Sequence, residues 1–178
     1  MLTLEEINKI VENCVYTYVT STTIKKVSLI GFSCPISYNP RFTGKFGVFK
    51  LWKSTPWSAE IELSSQLFNL VPKTKQRNTV IHELCHAIQY WEQVKDPVLF
   101  PKRLGNADPH GNRWQILMKL FGEEPNRVGI IPEGVVPPGS VKMVCKCGVK
   151  TISKNRATRI KNGSKYYCIR CKELLKKP

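Results

Sequence analysis

Apolar residues recur at helical spacing from Ile7 through Ile10, Val11, Cys14, Val15 and Tyr18, just after Thr3 and Glu6, which stand in a capping-box pattern. The spacing predicts a helix over about residues 4 to 19. From Val27 to Tyr38 the chain is rich in β-branched and aromatic residues, and Gly44 to Trp52 follows the turn signal Asn39-Pro40; both stretches are predicted as strands. Trp57, Ala59, Ile61 and Leu63 then alternate with Ser58, Glu60 and Glu62, the period of a strand with one buried face. Between Thr74 and about Val94, Val80, Ile81, Leu84, Ala87, Ile88 and Trp91 define the apolar face of a second helix, and Pro97 ends its reach. A third helix is predicted to open at His110, with Trp114, Leu117, Met118 and Phe121 on one side and Gly122 closing it. Helices mixed with a few strands make the chain α+β.

Residues 122 to 140 carry Pro125, Pro132, Pro137 and Pro138 with four glycines and read as a linker or strap. The predicted division is therefore a domain over 1–140 and a small module over 141–178. At 178 residues, with 42% hydrophobic and 23% charged, the chain holds one ordinary core plus an appendage. There is no apolar run long enough to span a bilayer, and Met1 to Glu6 has no signal-peptide character, so a cytoplasmic protein without a membrane partner is expected.

Charge sharpens that division. Residues 141–178 hold 12 of the 28 Lys and Arg against one acid, Glu173, which is +11 of the total +15. The same segment contains Cys145-x-Cys147 and Cys168-x-x-Cys171, the paired spacing of a zinc ribbon. Thirty-eight residues supply little apolar material, so a closed four-thiolate zinc would have to hold this fold together. Lys146, Lys150, Lys154, Arg156, Arg159, Lys161, Lys165 and Arg170, joined by Lys142, are interleaved with Tyr166 and Tyr167. Cations neutralise phosphates and tyrosine rings stack on bases, so the expected partner is single-stranded or distorted nucleic acid, with an acidic protein or an anionic membrane as the alternatives. The other cysteines, Cys14, Cys34 and Cys85, fall on or near apolar faces and are expected to pack as small hydrophobes.

The most reactive pattern is His82-Glu83-Leu84-Cys85-His86, inside the second predicted helix. Residues four apart lie one turn apart on one face, so both imidazoles can reach one zinc, with the glutamate offset as general base for the attacking water. A catalytic zinc needs a third protein ligand and an open position. His110 is the remaining histidine of three and is followed by Gly111; Asp108, Glu92 and Asp96 are the alternatives. Two zinc ions are thus expected, one catalytic on His82, His86 and His110, one structural on Cys145, Cys147, Cys168 and Cys171, with Glu83 as the catalytic residue.

Taken together, Ile36-Ser37-Tyr38-Asn39-Pro40-Arg41, the Ala59-Ile61-Leu63 strand, the His82 to His86 motif, the His110-Gly111 pair and the cysteine-paired tail resemble the SprT family of SprT-like and Spartan-like zinc metallopeptidases. The resemblance implies a zincin-like fold, helices plus a small, mainly antiparallel sheet, followed by the ribbon. It implies a metalloendopeptidase, monomeric and associated with DNA or the nucleoid, that cuts proteins bound or crosslinked to DNA, a repair activity. It further implies that the strand through Ile61 lies near the cleft and pairs with an extended substrate. Two other functions fit the residues: a non-enzymatic zinc-containing DNA-binding protein, and a zinc hydrolase of soluble substrates.

Overall fold

In the computed structural model, residues 1–51, 59–101, 108–126, 136 and 139–178 are described. The chain forms two compact units, Met1–Ile130 and Ile131–Pro178. Trp52, Trp57, Ser58 and most of the proline-rich 122 to 140 segment lie outside the described residues.

In the first unit, α1 (Leu4–Thr20) starts where its capping box dictates: the Thr3 side chain accepts from the Glu6 N–H, and the Glu6 carboxylate accepts from the Thr3 N–H. Ile7, Cys14 and Tyr18 are its buried face. A three-stranded sheet follows, from β1 (Ile36–Asn39), β2 (Gly47–Leu51) and β3 (Ala59–Ser64), in the order β1-β3-β2. β3 runs parallel to β1 and antiparallel to β2. The predicted alternation holds on β3, where Ala59, Ile61 and Leu63 are buried while Glu60 and Glu62 turn to Lys50 of β2. Because β3 is central, both its edges are already paired, and it has no edge to offer an extended substrate. Among the described residues the outer strands β1 and β2 each keep an unpaired edge, and of the two it is β2 that lines the cleft described below.

Only the end of the predicted 27 to 38 strand is a strand. The Pro35 carbonyl still accepts the Ile61 N–H of β3, but further upstream backbone groups pair with side chains: the Val27 N–H donates to the Tyr18 hydroxyl at 3.0 Å, and the Trp91 indole donates to the Ser28 carbonyl at 2.9 Å. Gly31, at φ +79°, turns the chain there.

A short helix, α2 (Ser65–Phe68), capped by Ser64, leads to the long α3 (Lys73–Lys95), and α4 spans Asn112–Leu120. His110 does not open α4, as its position suggests; it stands in the turn before it, with Gly111 as the N-cap. The core lies between α3 and its neighbours, with Ile7, Ile61, Leu63, Ile81, Leu84, Ile88, Trp114 and Leu117 fully buried. Two buried polar groups pin the helices. Gln76 accepts from the Leu2 N–H and donates to the Phe68 and Val71 carbonyls. Glu92, with no exposed surface, accepts from the Tyr18 hydroxyl at 2.7 Å and from the Arg113 Nε at 2.8 Å, which ties α1, α3 and α4 to one carboxylate.

The second unit has an antiparallel hairpin, β4 (Val141–Cys145) and β5 (Gly148–Ile152), followed by α5 (Lys154–Lys161). Its core is small: Met143, Ile152, Cys168 and Leu175, with Tyr166, Ala157 and Ile160 packed against them. No helix among the described residues is long and apolar enough to cross a membrane.

Candidate metal centres and the cleft

On α3, His82 and His86 lie one turn apart, and the turn before α4 brings His110 to meet them. The Nε2 of His110 is 3.0 Å from that of His82 and 3.2 Å from that of His86. Tetrahedral ligands bound at zinc's usual 2.0–2.1 Å are spaced by about 3.3 Å, so three nitrogens this close suit one small cation. Burial holds the rings in the neutral form that a metal needs, pushing His82 down to about 4 and His86 down to about 3, with the neighbouring imidazoles adding to the effect. The donor set therefore fits zinc by number and type.

Asp108, Glu92 and Asp96, the alternative third ligands, are occupied elsewhere. Asp108 accepts the His110 N–H at 3.0 Å and so shapes the turn that presents the ring. Glu92 is held by Tyr18 and Arg113, and Asp96 accepts from the Leu99 N–H. Among the described residues, the imidazole group contains only the three histidines.

Glu83 is buried beside them, and one of its carboxylate oxygens accepts the Phe49 N–H of β2 at 2.8 Å. Desolvation pushes its pKa up to about 7, against the lowering influence of that hydrogen bond and of Lys45. A carboxyl poised there can take and return a proton near neutral pH. The cleft in front of these groups, about 1170 Å³, is lined by His82, Glu83, His86 and His110 together with Gly47, Val48 and Phe49 of β2.

Three participants had no clear signature in the sequence. Trp114 follows the apolar period of α4 and reads as core. It is fully buried, yet its ring packs 4.7 Å from both His82 and His110, centroid to centroid, forming an apolar wall behind the imidazoles. Gly47 lets β2 pass close to α3: a Cβ there would lie 3.1 Å from Cγ of Glu83 and 3.2 Å from side-chain atoms of Leu63 and Thr79. The Phe49 amide is a backbone group that only the fold can place.

In the second unit, the sulfurs of Cys145, Cys147, Cys168 and Cys171 gather within 4.8 Å of one another. The Cys145 to Cys147 separation is 3.3 Å and Cys147 to Cys168 is 3.5 Å, close to the spacing of ligands around one ion and far beyond a covalent sulfur–sulfur bond of about 2.05 Å. Backbone N–H groups of Cys171 and Arg170 hold Cys168 down to about 6, whereas the crowded neighbouring sulfurs push Cys147 up to about 12. Such a group of thiols needs a cation to become thiolates together. Lys172 adopts φ +58° so that its N–H can return to the Cys168 carbonyl, closing the second knuckle.

The cationic residues of this unit separate by position. Lys142, Lys146, Lys154, Arg156, Arg159, Lys161, Lys165 and Arg170 are exposed, and Lys150 is half-buried. On α5 the cations project to solvent while Ala157 and Ile160 pack inward. The two tyrosines part company: Tyr166 packs on the small core, and Tyr167 remains exposed beside Ile169 and Arg170.

A family model described as the SprT-like family matches residues 20–132. Protein SprT of Pseudomonas aeruginosa, in strains LESB58 and UCBPP-PA14, is 30% identical over 103 residues, 54% of this chain and 55% of that protein. The chain thus spans about half the length of the curated relatives it matches. No solved structure matches it. The family match covers more than half of the chain and contains both histidines of α3, the glutamate between them and His110, so this chain belongs to the SprT-like family.

Proposed function

We propose that the protein is a zinc-dependent metalloendopeptidase of zincin-like fold, brought to DNA by its cationic second unit and acting on proteins bound or crosslinked to DNA. The reading rests above all on one observation: three imidazole nitrogens converge beside a buried carboxyl at the wall of an open cleft. His82, His86 and His110 would hold the catalytic zinc, and the four cysteines a structural one. When bound, the catalytic zinc supplies Lewis-acid polarisation of the scissile carbonyl and acidifies the attacking water.

The chain's own residues do the rest. Glu83, anchored through one oxygen by the Phe49 N–H, takes the proton from the nucleophile and returns it to the leaving amine. Burial raises its proton affinity, which suits it to accept that proton, while the Lys45 cation beside it favours giving the proton up again. The wall formed by Trp114 fixes the imidazole planes and excludes water from behind them. The free edge of β2 borders the cleft and can add an extended substrate as a further strand, orienting the bond to be cut. Exposed cations and Tyr167 on the second unit favour single-stranded or distorted DNA, and tethering there raises the local concentration of DNA-bound substrate.

The decisive test uses a protein bound to single-stranded DNA, with zinc-loaded wild type and Glu83→Gln compared, each with and without DNA. Cleavage by wild type alone, stimulated by DNA, is the expected result. Equal survival of the target with both proteins would favour the non-enzymatic alternative.

A further inference from the structure

A second, smaller cavity of about 270 Å³ opens on His82, Glu83 and His110 and runs the other way along α3. The main cleft follows α3 from Glu83 through His86 and Gln89 to Gln93, whereas this one follows it back through Thr79 and Asn78 to Lys75. Its far end is completed by Lys45 and Asn126. We infer that this cavity is a specificity subsite that takes an acidic side chain of the substrate, at a residue flanking the scissile bond, through Lys45 and Lys75. The inference rests on the peptidase reading above.

Size, charge and helix polarity all point to that occupant. The volume is below the usual 300–1,000 Å³ of a small-molecule pocket, which suits one side chain, while the larger cleft suits the chain that carries it. Of the cations on the first turns of α3, Lys73 is paired with Glu6 and Arg77 with Glu123, and Glu123 also accepts from the Asn78 amide at 2.9 Å. Lys75 is half-buried and Lys45 exposed, and among the described residues neither has a carboxylate within ion-pair distance; the Lys45 ammonium rests over the Phe42 ring at 4.3 Å. The first turn of α3 contains no acid and Pro72 gives no side-chain cap, so the positive end of a 23-residue helix adds to the two lysines. A phosphate backbone presents a line of charges and is better matched by the exposed cations of the second unit than by a recess beside the imidazoles.

The test uses the zinc-loaded full chain and internally quenched peptides with both ends blocked, identical except for Glu, Gln or Lys at either residue flanking the cut bond. The Glu peptide should exceed the Gln peptide in kcat/KM by roughly tenfold, the size of one charge-assisted hydrogen bond, and the advantage should shrink with salt. Lys75→Glu should abolish or invert the preference, and Lys45→Glu should reduce it; both are solvent-reaching positions where the fold is checked by circular dichroism. Equal rates on Glu and Gln peptides, or an advantage that survives both charge reversals, overturn the inference while leaving the peptidase reading intact. An advantage that appears only with a free C-terminal carboxylate overturns it too, by assigning the cavity to a chain end. If wild type cuts none of these free peptides, the peptidase reading is decided by the DNA-bound protein above, and fluorescence polarisation of the same peptides on the zinc-loaded protein decides the subsite separately: equal affinity for Glu and Gln peptides overturns it.

Discussion

At Gly47 the edge strand passes so close to α3 that an added Cβ would lie 3.1 Å from Cγ of Glu83 and 3.2 Å from side-chain atoms of Leu63 and Thr79, so these neighbours must give by a few tenths of an ångström, with Glu83 the nearest. Gly47→Ala should therefore cut cleavage at least tenfold while leaving zinc content unchanged, because Glu83 moves and the imidazoles do not; unchanged turnover would show that the contact relaxes elsewhere. Protonation at this scale also sets stability. In the metal-free protein, His82 and His86 have folded pKa values of about 4 and about 3, below the ordinary ~6.5, so their contribution is present above pH 6.5 and lost as pH falls through those values. Glu83 works in the opposite sense: its value of about 7 is raised, so its contribution is present below about 4.5 and lost as pH rises through 7. Between pH 4.5 and 6.5 the unfolded chain gains two protons on these histidines where the folded chain keeps one on Glu83. The histidines win, and stability should rise by about 1.4 kcal/mol per pH unit across that window. All four tryptophans lie before residue 115, so urea unfolding followed by tryptophan fluorescence reads the first unit alone. Glu83→Gln should steepen the dependence to about twice that; a flat or falling profile in the wild type would contradict the assignment.

Among the elements, the helices depend on a junction that no local pattern announces. Glu92 has no exposed surface, and its partners come from α1 and α4. Arg113→Met would leave that carboxylate buried with the Tyr18 hydroxyl and no cation, at a cost of about 3–5 kcal/mol, whereas an exposed pair such as Lys73 with Glu6 is worth under ~1 kcal/mol. A shift in the thermal midpoint no larger for Arg113→Met than for Lys73→Met would refute this. The contrast explains what was legible in the sequence. α1, β3 and α3 are written in local periodicity and capping, so Thr3, the Ala59 to Leu63 alternation and the apolar face from Val80 to Trp91 predict them. The two groups that could hold a metal are legible because zinc chemistry restricts donors to a few residue types at fixed spacing. The 27 to 35 stretch was misread as strand because its hydrogen-bond partners are Tyr18 and Trp91, distant in sequence. Alternation marks β3 as a strand for a local reason, but only the strand order shows that it is central, with β1 and β2 at the edges. α5 was missed because its apolar content is two residues, Ala157 and Ile160, and its N-cap Ser153 lies in a tail read for its cysteines.

The molecule as a whole divides its work by charge and by metal. Residues 141–178 carry +11 of the +15, and a zinc on four thiolates would lower that by two, which leaves the cationic surface intact. The two units also differ in what holds them folded. The first has a broad core from α1 to α4, with Trp114, Ile81, Leu84 and Leu117 fully buried, so it should outlast the loss of its zinc. In the second, the buried residues Met143, Ile152, Cys168 and Leu175 are too few to offset the entropy of ordering residues 141–178, and a metal on the four cysteines would supply the difference. Cys168→Ser should therefore release about one zinc of two, collapse the amide dispersion of the tail and remove most affinity for single-stranded DNA, while tryptophan fluorescence stays native. His110→Ala should do the reverse, losing the other zinc and all cleavage with DNA affinity retained. A Cys168→Ser protein that keeps both metals, or whose tail keeps its dispersed signals, would mean that the sulfur cluster is incidental to the fold, and the separation of grip from cut would fall with it.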